Sequence, residues 1–373
     1  MPTLLTSILT LVLSGTLAAG AEPAATPLRP ASPPEGKTLF TALPPERSGI
    51  DFVNPIDKQH PLKRIYLGAF ACGGIAIGDL NGDGRPDLFL TSGARPNRLY
   101  LQSETPLNFD DATRAAGITD TNPWSAGAPL VDIDTDGALD IHVCNYDAAN
   151  QLWLNDGNGK FTEAAKKFGL AISDASLMAS FCDYDLDGDL DCFLLTRDFK
   201  RAGGRPREHP VIKVGDRWKI APGFEKYYDI VSRPGGKQVY LNAGREDFLL
   251  RNDGPDAKGQ VRFSDVSKAA GISGRDRGNS ATWWDFDEDG LPDLYVGNDF
   301  KDADRLYRNN GNGTFTDVIR QVAPHTPWFS MGADIADLDG DGRTDLLIAD
   351  MAGTNHYRSK TTMGEIGSIR PFL

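Results

Sequence analysis

The segment Asp79-Leu-Asn81-Gly-Asp83-Gly84-Arg85-Pro-Asp87 decides the fold, because it is one of five copies of a single pattern. Each copy has Asp or Asn at positions 1, 3 and 5, Gly at position 6 and Asp at position 9. Internal repetition of this kind indicates a repeat architecture. The other copies, numbered loops 2 to 5 after this loop 1, are Asp132-Ile-Asp134-Thr-Asp136-Gly137-Ala138-Leu-Asp140, Asp183-Tyr-Asp185-Leu-Asp187-Gly188-Asp189-Leu-Asp191, Asp285-Phe-Asp287-Glu-Asp289-Gly290-Leu291-Pro-Asp293 and Asp337-Leu-Asp339-Gly-Asp341-Gly342-Arg343-Thr-Asp345.

The loops recur at a nearly constant interval, apart from one interval of about twice the length. Their first Asp residues are separated by 53, 51, 102 and 52 residues. After a loop come a short apolar segment, a segment such as Asn97-Arg-Leu-Tyr-Leu, and a segment that begins with Phe, such as Phe109-Asp-Asp. Four strand-sized segments in a unit of this length are typical of a propeller blade. The repeat therefore predicts an all-β fold of the β-propeller type.

The long interval contains either a unit that lacks its loop or an insertion. The second segment of the unit occurs twice there, once from Gln238 and once from Asp247. This duplication favours one unit interrupted by an insertion at about residues 197–243. The insertion carries eleven Lys and Arg against five Asp and Glu, in a chain whose formal net charge is -13.

The composition of the loops predicts calcium binding, because Ca²⁺ takes six to eight hard oxygen ligands at flexible geometry. Alternate side chains of an extended loop point the same way, so positions 1, 3 and 5 can converge on one ion. Gly at position 6 allows the reversal that turns the carbonyl of position 7 inward, and Asp at position 9 closes the shell. The predicted ligands, with position 7 contributing its carbonyl, are Asp79, Asn81, Asp83, Arg85 and Asp87; Asp132, Asp134, Asp136, Ala138 and Asp140; Asp183, Asp185, Asp187, Asp189 and Asp191; Asp285, Asp287, Asp289, Leu291 and Asp293; and Asp337, Asp339, Asp341, Arg343 and Asp345.

Two related types of site fit the pattern less well. An EF-hand carries Glu at position 12 and lies between helices. Position 12 is apolar here and falls within a strand-like segment, so the loops are predicted to join strands. Mg²⁺ requires stricter octahedral geometry than such loops impose. About five Ca²⁺ sites with a structural role are therefore predicted, since converging carboxylates repel one another without the ion.

The acidic charge of the chain is largely explained by these loops. They hold 19 carboxylates at ligand positions, and five Ca²⁺ ions would bring the net charge of -13 to -3. A phosphate backbone requires clustered Lys and Arg, so nucleic acid is not an expected partner.

The N-terminus predicts export. Residues 1–21 combine a short apolar run with small residues that end in Ala19-Gly20-Ala21, as a signal peptide does, although no Lys or Arg precedes Arg29. A membrane anchor is the alternative, but the run is short for a spanning helix and no later segment has 18 apolar residues. Residues 22–36 are then a Pro- and Ala-rich linker, and residues 37–373 the repeat domain. The expected location is periplasmic, extracellular or on the cell surface.

Two further features leave alternatives open. Cys182 and Cys192 flank loop 3, so they form either a disulfide across that hairpin or a pair of small apolar strand residues. The segment from Phe40 to Ile50 resembles the third segment of the unit without a preceding loop. An outer strand of this kind would pair with the last blade of a closed ring and hide both edges.

On these motifs the chain resembles the FG-GAP/VCBS repeat proteins, whose loops also occur in integrin alpha propellers. The combination of N-x-L-[YW]-x-N-x-G with F-x-[DE] followed by G-[IL] is more similar to the cartilage-acidic-protein-like bacterial proteins. That resemblance covers about residues 66–350, and the segments at His356 and Met363 resemble the join to an ASPIC/UnbV domain. It implies a seven-bladed ring and a C-terminal domain, whereas five loops are visible and the sequence ends at Leu373, which favours an incomplete product.

The sequence favours a binding scaffold over an enzyme. It has five His residues and neither a G-x-S-x-G nor an H-E-x-x-H motif, so no catalytic constellation accompanies the repeats. A secreted or surface protein that binds protein or glycan is the leading interpretation. The oligomeric state is left open.

The alternative is an extracellular enzyme, or a module associated with one, that acts on polysaccharide. Basic residues of the insertion would grip an acidic substrate, or would form a solvated loop: Arg201, Arg205, Arg207, His209 and Lys213. Aromatic residues that precede the loops would stack on sugars, or would pack between blades: Trp124, Trp283, Trp284 and Trp328.

Overall fold

The computed structural model of the protein describes residues 40–67, 73–93, 95–119, 124–204, 206–232, 236, 238–299 and 302–351. The predicted signal peptide and linker, Cys72, Arg205 and the segment at His356 lie outside these residues. No helix in the described part of the chain is both long and apolar enough to cross a membrane. The helices are short: a 3-10 helix (Lys63–Leu67), α1 (Pro45–Ser48), α2 (Ala165–Phe168), α3 (Ser267–Ala270) and α4 (Ile319–Val322).

Antiparallel β-strands form the rest of the regular structure, which confirms the predicted all-β class. The first twelve strands are β1 (Ile75–Gly78), β2 (Asp87–Leu90), β3 (Arg98–Gln102), β4 (Phe109–Asp111), β5 (Trp124–Ser125), β6 (Leu130–Val131), β7 (Asp140–Val143), β8 (Asn145–Ala149), β9 (Gln151–Asn155), β10 (Phe161–Glu163), β11 (Ser173–Cys182) and β12 (Asp191–Thr196). The others are β13 (Val211–Val214), β14 (Arg217–Ile220), β15 (Tyr228–Ser232), β16 (Gln238–Asn242), β17 (Phe248–Pro255), β18 (Val261–Asp265), β19 (Gly278–Trp284), β20 (Asp293–Asn298), β21 (Arg305–Asn309), β22 (Phe315–Asp317), β23 (Ser330–Ala336) and β24 (Asp345–Asp350).

These strands form five repeated sheets. Sheet 1 is β1-β2-β3-β4, sheet 2 is β6-β7-β9-β10, and sheet 4 is β19-β20-β21-β22. Sheet 3 contains β11-β12-β17-β18 and is extended beyond β11 by β8 and β5, while sheet 5 is the pair β23-β24 in the part that the structure describes. In every sheet the numbered loop joins the first strand to the second. All five loops therefore lie at the same end of their sheets.

Successive sheets pack through their first strands. Contacts join β1 to β6, β11 to β19 and β19 to β23. Hydrogen bonds also join neighbouring sheets: the Gly127 amide donates to the Leu177 carbonyl at 2.9 Å between sheets 2 and 3. Between sheets 4 and 5, the Thr282 hydroxyl donates to the Ala333 carbonyl at 3.1 Å. Each sheet is thus held by its neighbours, as expected of a repeat architecture.

In sheets 1 to 3, a glycine that follows the third segment lies very close to the next sheet. Its φ is positive, and a Cβ atom built on it would lie 3.0 Å or less from the carbonyl oxygen of the Phe that begins the third segment of the next sheet. Only glycine fits both the left-handed backbone and this gap. The pairs are Gly117 with Phe161 at 3.0 Å, Gly169 with Phe263 at 2.6 Å, and Gly271 with Phe315 at 2.9 Å.

The segment from Phe40 to Ile50 plays the same part for sheet 1, although the expectation of an outer strand is wrong. The structure has α1 there, followed by Gly49 at φ 74°. A Cβ on Gly49 would lie 2.0 Å from the Phe109 carbonyl oxygen, which repeats the glycine contact of the later sheets. Asn108 also donates to the Arg47 carbonyl at 3.1 Å. The segment therefore packs on the first sheet.

The tryptophans that precede the loops are mainly packing residues. Trp124 is buried against Tyr66, with ring centroids 4.9 Å apart. Trp283 stacks on Tyr184 of the preceding sheet, with centroids 6.3 Å apart and planes 6° from parallel. Trp328 is the exception, because most of its side chain is exposed.

The cysteines around loop 3 are free thiols. Cys182 lies opposite Asp191, and Cys192 lies opposite Phe181 in the register of β11 and β12. Adjacent residues of a strand face opposite sides of the sheet, so these two side chains point away from each other. A disulfide across the hairpin is therefore excluded by the register. Burial raises the pKa of the Cys182 thiol to about 12.

Between β12 and β17, the chain forms two hairpins that belong to none of the repeated sheets. They are β13-β14 and β15-β16. β12 pairs directly with β17, so sheet 3 is continuous across the interruption. The hairpins leave the sheet at the end of β12, opposite to the end that carries loop 3.

Candidate metal loops

The first Asp of each loop holds the turn together through both carboxylate oxygens. One oxygen accepts the backbone N–H of position 5, and the other accepts the N–H of the position 6 glycine. In loop 4 these bonds join Asp285 to Asp289 at 3.1 Å and to Gly290 at 3.0 Å. The same two bonds occur in loops 1, 2, 3 and 5. These two hydrogen bonds within the loop explain the aspartate at position 1 without any bound ion.

Position 5 orients the chain beyond the glycine. Its carboxylate accepts the N–H of position 7 in all five loops, at 2.8–3.0 Å. The glycine between them has φ from 81° to 100°, as the sequence predicted for a sharp reversal. The residues placed at position 7 in this way are Arg85, Ala138, Asp189, Leu291 and Arg343.

Position 4 is also left-handed in every loop, which the sequence did not reveal. Loops 1 and 5 have glycine there, at Gly82 and Gly340. Loops 2 to 4 have Thr135, Leu186 and Glu288, each at φ 59°. An L-residue in this region is strained by roughly 1–2 kcal/mol. The loop thus imposes its backbone shape on residues that disfavour it.

This strain predicts that Leu186→Gly will stabilise the protein. Leu186 is 56% exposed, so the substitution removes little apolar burial. Relief of the strain outweighs the entropy cost of glycine, and the free energy of unfolding should rise by about 0.5–1 kcal/mol in denaturant titrations. The matched control is Leu338→Gly, at position 2 of loop 5, which is 58% exposed and has no positive φ. The explanation fails if both substitutions lower stability equally.

In loops 1 to 4, position 9 is a buried anchor at the start of the second strand. Its two oxygens accept the N–H of position 2 and an N–H of the third strand: Asp140 bonds Ile133 at 3.0 Å and Asn155 at 2.8 Å. Asp87, Asp191 and Asp293 make the equivalent pairs of bonds. Burial raises the pKa of Asp140 and Asp191 to about 7. Each oxygen retains lone-pair capacity for a cation, but the anchoring role exists without one.

The carboxylates of four loops are brought together closely enough to share a cation. Three acidic oxygens lie within 4.8 Å of one another in each of these loops. The groups are Asp132, Asp134 and Asp136; Asp183, Asp185 and Asp191; Asp285, Asp287 and Asp289; and Asp337, Asp339 and Asp345. In loop 2, Asp134 has a buried oxygen with no hydrogen-bond partner among the described residues. Desolvation, followed by repulsion from Asp136 and Asp132, raises the pKa of Asp134.

Loop 1 differs from the other four. Asn81 replaces the carboxylate at position 3 and donates to Asp83 at 2.8 Å. The guanidinium of Arg85 also contacts the Asp83 carboxylate. Both donors contact the same oxygen, Oδ2 of Asp83, so protein groups already engage this oxygen in loop 1.

Two sets of structural residues outside the loops escaped the sequence interpretation. In sheets 1 to 4, a side-chain oxygen at the start of the third strand accepts a backbone N–H from the end of the second strand. The residues that supply this oxygen are Asn97, Asn150, Asp247 and Asp304. Asn155 and Asn309 also donate to position 2 of the loop one sheet earlier, on Leu80 at 2.9 Å and Tyr184 at 2.7 Å. The repeated Asn residues were the available signal.

Comparison with known proteins agrees with this repeat. The FG-GAP-like repeat family matches residues 79–143, 132–194 and 285–348, and each match spans two successive loops. Cartilage acidic protein 1 of Xenopus tropicalis is 25% identical over 268 residues, which is 70% of this chain and 34% of that protein. Cartilage acidic protein 1 of Homo sapiens is 22% identical over 291 residues, which is 66% of this chain and 43% of that protein. The chain thus spans less than half the length of these relatives.

Similarity to solved structures is weaker. An Agrocybe aegerita lectin that recognises non-reducing terminal N-acetylglucosamine aligns with a TM-score of 0.31 and 16% identity, over 74% of this chain and 73% of the lectin. The V. cholerae biofilm matrix protein Bap1 aligns with a TM-score of 0.33 and 14% identity, over 74% of this chain and 34% of Bap1. The chain therefore contains FG-GAP-like repeats at residues 79–194 and 285–348, and it is similar to cartilage acidic protein 1 over 66–70% of its length.

Proposed function

We propose that the protein is an exported, calcium-stabilised scaffold that binds glycan or protein and catalyses no reaction. The observation that carries this proposal is the division of labour between the two ends of the sheets. At one end, the aspartates are bound into the loops by backbone amides and converge on shared positions. At the other end, the insertion presents two hairpins outside the sheets. Calcium would stabilise the repeated sheets, and the connections at the opposite end would contact the ligand.

The loops fit Ca²⁺ in their donor chemistry. Carboxylate oxygens are the hard ligands that Ca²⁺ prefers, and it tolerates loops that differ in detail. The unpartnered buried oxygen of Asp134 supports a cation in loop 2. In loops 2 and 4, the side chains at positions 1, 3 and 5 would hold the ion, and in loops 3 and 5 those at positions 1, 3 and 9 would hold it. The ion would supply positive charge that offsets carboxylate repulsion, and no chemical step.

The arrangement of sheets also supports a propeller. Contact between the first strands of neighbouring sheets is the geometry of blades around a central axis. We propose that the five sheets are blades of such a ring, and that the ring has the seven blades implied by the family resemblance.

A screen of immobilised glycans and extracellular proteins tests the binding role. The purified protein should bind a defined subset of ligands in calcium, and binding should fall in chelator as the loops loosen. Asp285→Ala is a matched variant, because it removes one predicted ligand and both bonds that hold loop 4. The proposal fails if no ligand depends on calcium. Turnover of a polysaccharide in the same screen would contradict a non-enzymatic role.

A further inference from the structure

The inserted segment at residues 197–243 is basic on an acidic chain, but much of its charge is used within the protein. Arg197 is buried and pairs with Asp299 of sheet 4 at 2.5 Å. Lys200 pairs with Asp198 at 2.7 Å. Lys226 pairs with Asp147 at 2.5 Å and lies over the Phe199 ring. Arg197 and Lys226 join the insertion to the rest of the protein, Lys200 pairs within the insertion, and all three cations already have a carboxylate partner.

Arg201 is also engaged. Its guanidinium donates to the Gly204 carbonyl at 3.0 Å and lies over the Phe224 ring. Arg201 is one of the five residues that the sequence suggested as contacts for an acidic ligand, and these interactions make it a packing residue. Arg205 lies outside the described residues. His209 packs its ring against Tyr240, with centroids 5.2 Å apart.

The first hairpin of the insertion, β13-β14, presents three further cations, while Arg207 is exposed just before it. Lys213, Arg217 and Lys219 are exposed, and none forms an ion pair with another described residue. Lys213 lies opposite Trp218, while Val214 lies opposite Arg217 and Ile212 opposite Lys219. Opposed residues share a face, so cations lie on both faces of the hairpin.

The same hairpin exposes apolar surface. Trp218 is 46% exposed on one face, and Ile212 and Val214 are 41% and 48% exposed on the other. A two-stranded hairpin is marginal by itself, and exposed apolar side chains do not help it in water. The pattern is therefore one of aromatic or aliphatic surface bordered by free cations.

We propose that the β13-β14 hairpin binds a polyuronate, that is, a polysaccharide with repeated carboxylate groups. Arg and Lys pair with carboxylates, and Arg can do so with two parallel hydrogen bonds. The C–H faces of sugar rings can pack on Trp218 and on the aliphatic face. The acidic surface elsewhere repels a polyanion and directs it to this hairpin. This inference rests on the proposed binding function and names its ligand class and surface.

Polygalacturonate is the probe, with dextran as the uncharged comparison, and the whole chain is used with calcium present. Trp218→Ala and the double substitution Lys213→Glu with Lys219→Glu should each weaken binding by about tenfold or more, the loss expected for charge-assisted or aromatic contacts. Lys258→Glu is the matched control, because Lys258 is exposed in the turn between β17 and β18 and should leave affinity unchanged. Added salt should weaken wild-type binding.

Other outcomes separate this inference from the proposed function. Equal binding by the wild type and both hairpin variants would overturn the hairpin as the site. Binding of a neutral glycan, a protein or anionic lipid vesicles, without binding of polygalacturonate, would overturn the polyuronate. A protein or neutral-glycan ligand would nevertheless leave the scaffold function intact. If the wild type binds no glycan or protein, both proposals fail. Because the hairpin lies outside the repeated sheets, its substitutions should leave the sheets intact. Thermal unfolding curves that match the wild type will show that the variants fold.

Discussion

Removal of calcium should lower the unfolding temperature of the protein by more than about 10 °C, given about 2–4 °C per kcal/mol for domains of 150–250 residues. A site at a free calcium concentration of about 100 times its Kd contributes about 2.7 kcal/mol, and several such sites lie in one interlocked structure. The physical cause is repulsion. Three carboxylate oxygens lie within 4.8 Å in each of four loops, and two unit charges at about 4 Å repel by about 4 kcal/mol near a protein surface.

Thermal unfolding followed by circular dichroism, in calcium and in chelator, measures this effect. Magnesium at the same ionic strength is the control, and it should restore little of the lost stability. Calorimetric titration of the chelated protein should show loop 1 as the weakest site, because Asn81 and Arg85 already occupy Asp83. Identical unfolding temperatures in calcium and chelator would exclude a structural role for the ion.

The loops show what local sequence can predict. Positions 1, 5 and 6 have roles confined to a few neighbouring residues, so their types reveal the turn directly. Asp285 needs only the amides of Asp289 and Gly290 to be explained. The strand assignments follow for a similar reason, because apolar segments of constant spacing leave few alternatives. The all-β class and the placement of each loop between strands were therefore predictable.

Features that depend on strand register or on contacts between distant residues were not predictable in the same way. Gly169 looks like an ordinary helix-ending glycine until the Phe263 carbonyl of the next sheet is placed against it. Cys182 and Cys192 are close in sequence around a turn, yet the register of β11 and β12 sends them to opposite faces. The use of Arg201 is likewise decided by Phe224, which no motif connects to it. Such contacts belong to packing, which one sequence does not specify by spacing.

Asp293→Asn should destabilise the protein by about 1–3 kcal/mol even in chelator, because it leaves one buried amide donor without an acceptor. Asp293 is fully buried and accepts from Phe286 at 3.1 Å and Asn309 at 2.7 Å. An asparagine has one acceptor oxygen, so its NH₂ group must face one of these donors. Burial raises the pKa of Asp293 to about 6, which shows that the loop tolerates this carboxylate at a cost in desolvation. The hydrogen bonds from Phe286 and Asn309 explain why an aspartate stands at this buried position.

Asp289→Asn in the same loop should behave in the opposite way. Asp289 is exposed, and its bond to the Leu291 amide at 2.9 Å can be made by an asparagine oxygen. In chelator the substitution removes one of three converging charges, so the free energy of unfolding should stay the same or rise. In calcium it removes a ligand, and a tenfold loss of affinity would lower stability by about 1.4 kcal/mol. Denaturant titrations of both variants in both conditions separate an anchor from a ligand. Equal effects of calcium on the two variants would refute the distinction between anchor and ligand. The distinction rests on the burial of Asp293, because a carboxylate that only binds cations has no reason to be buried between two backbone amides.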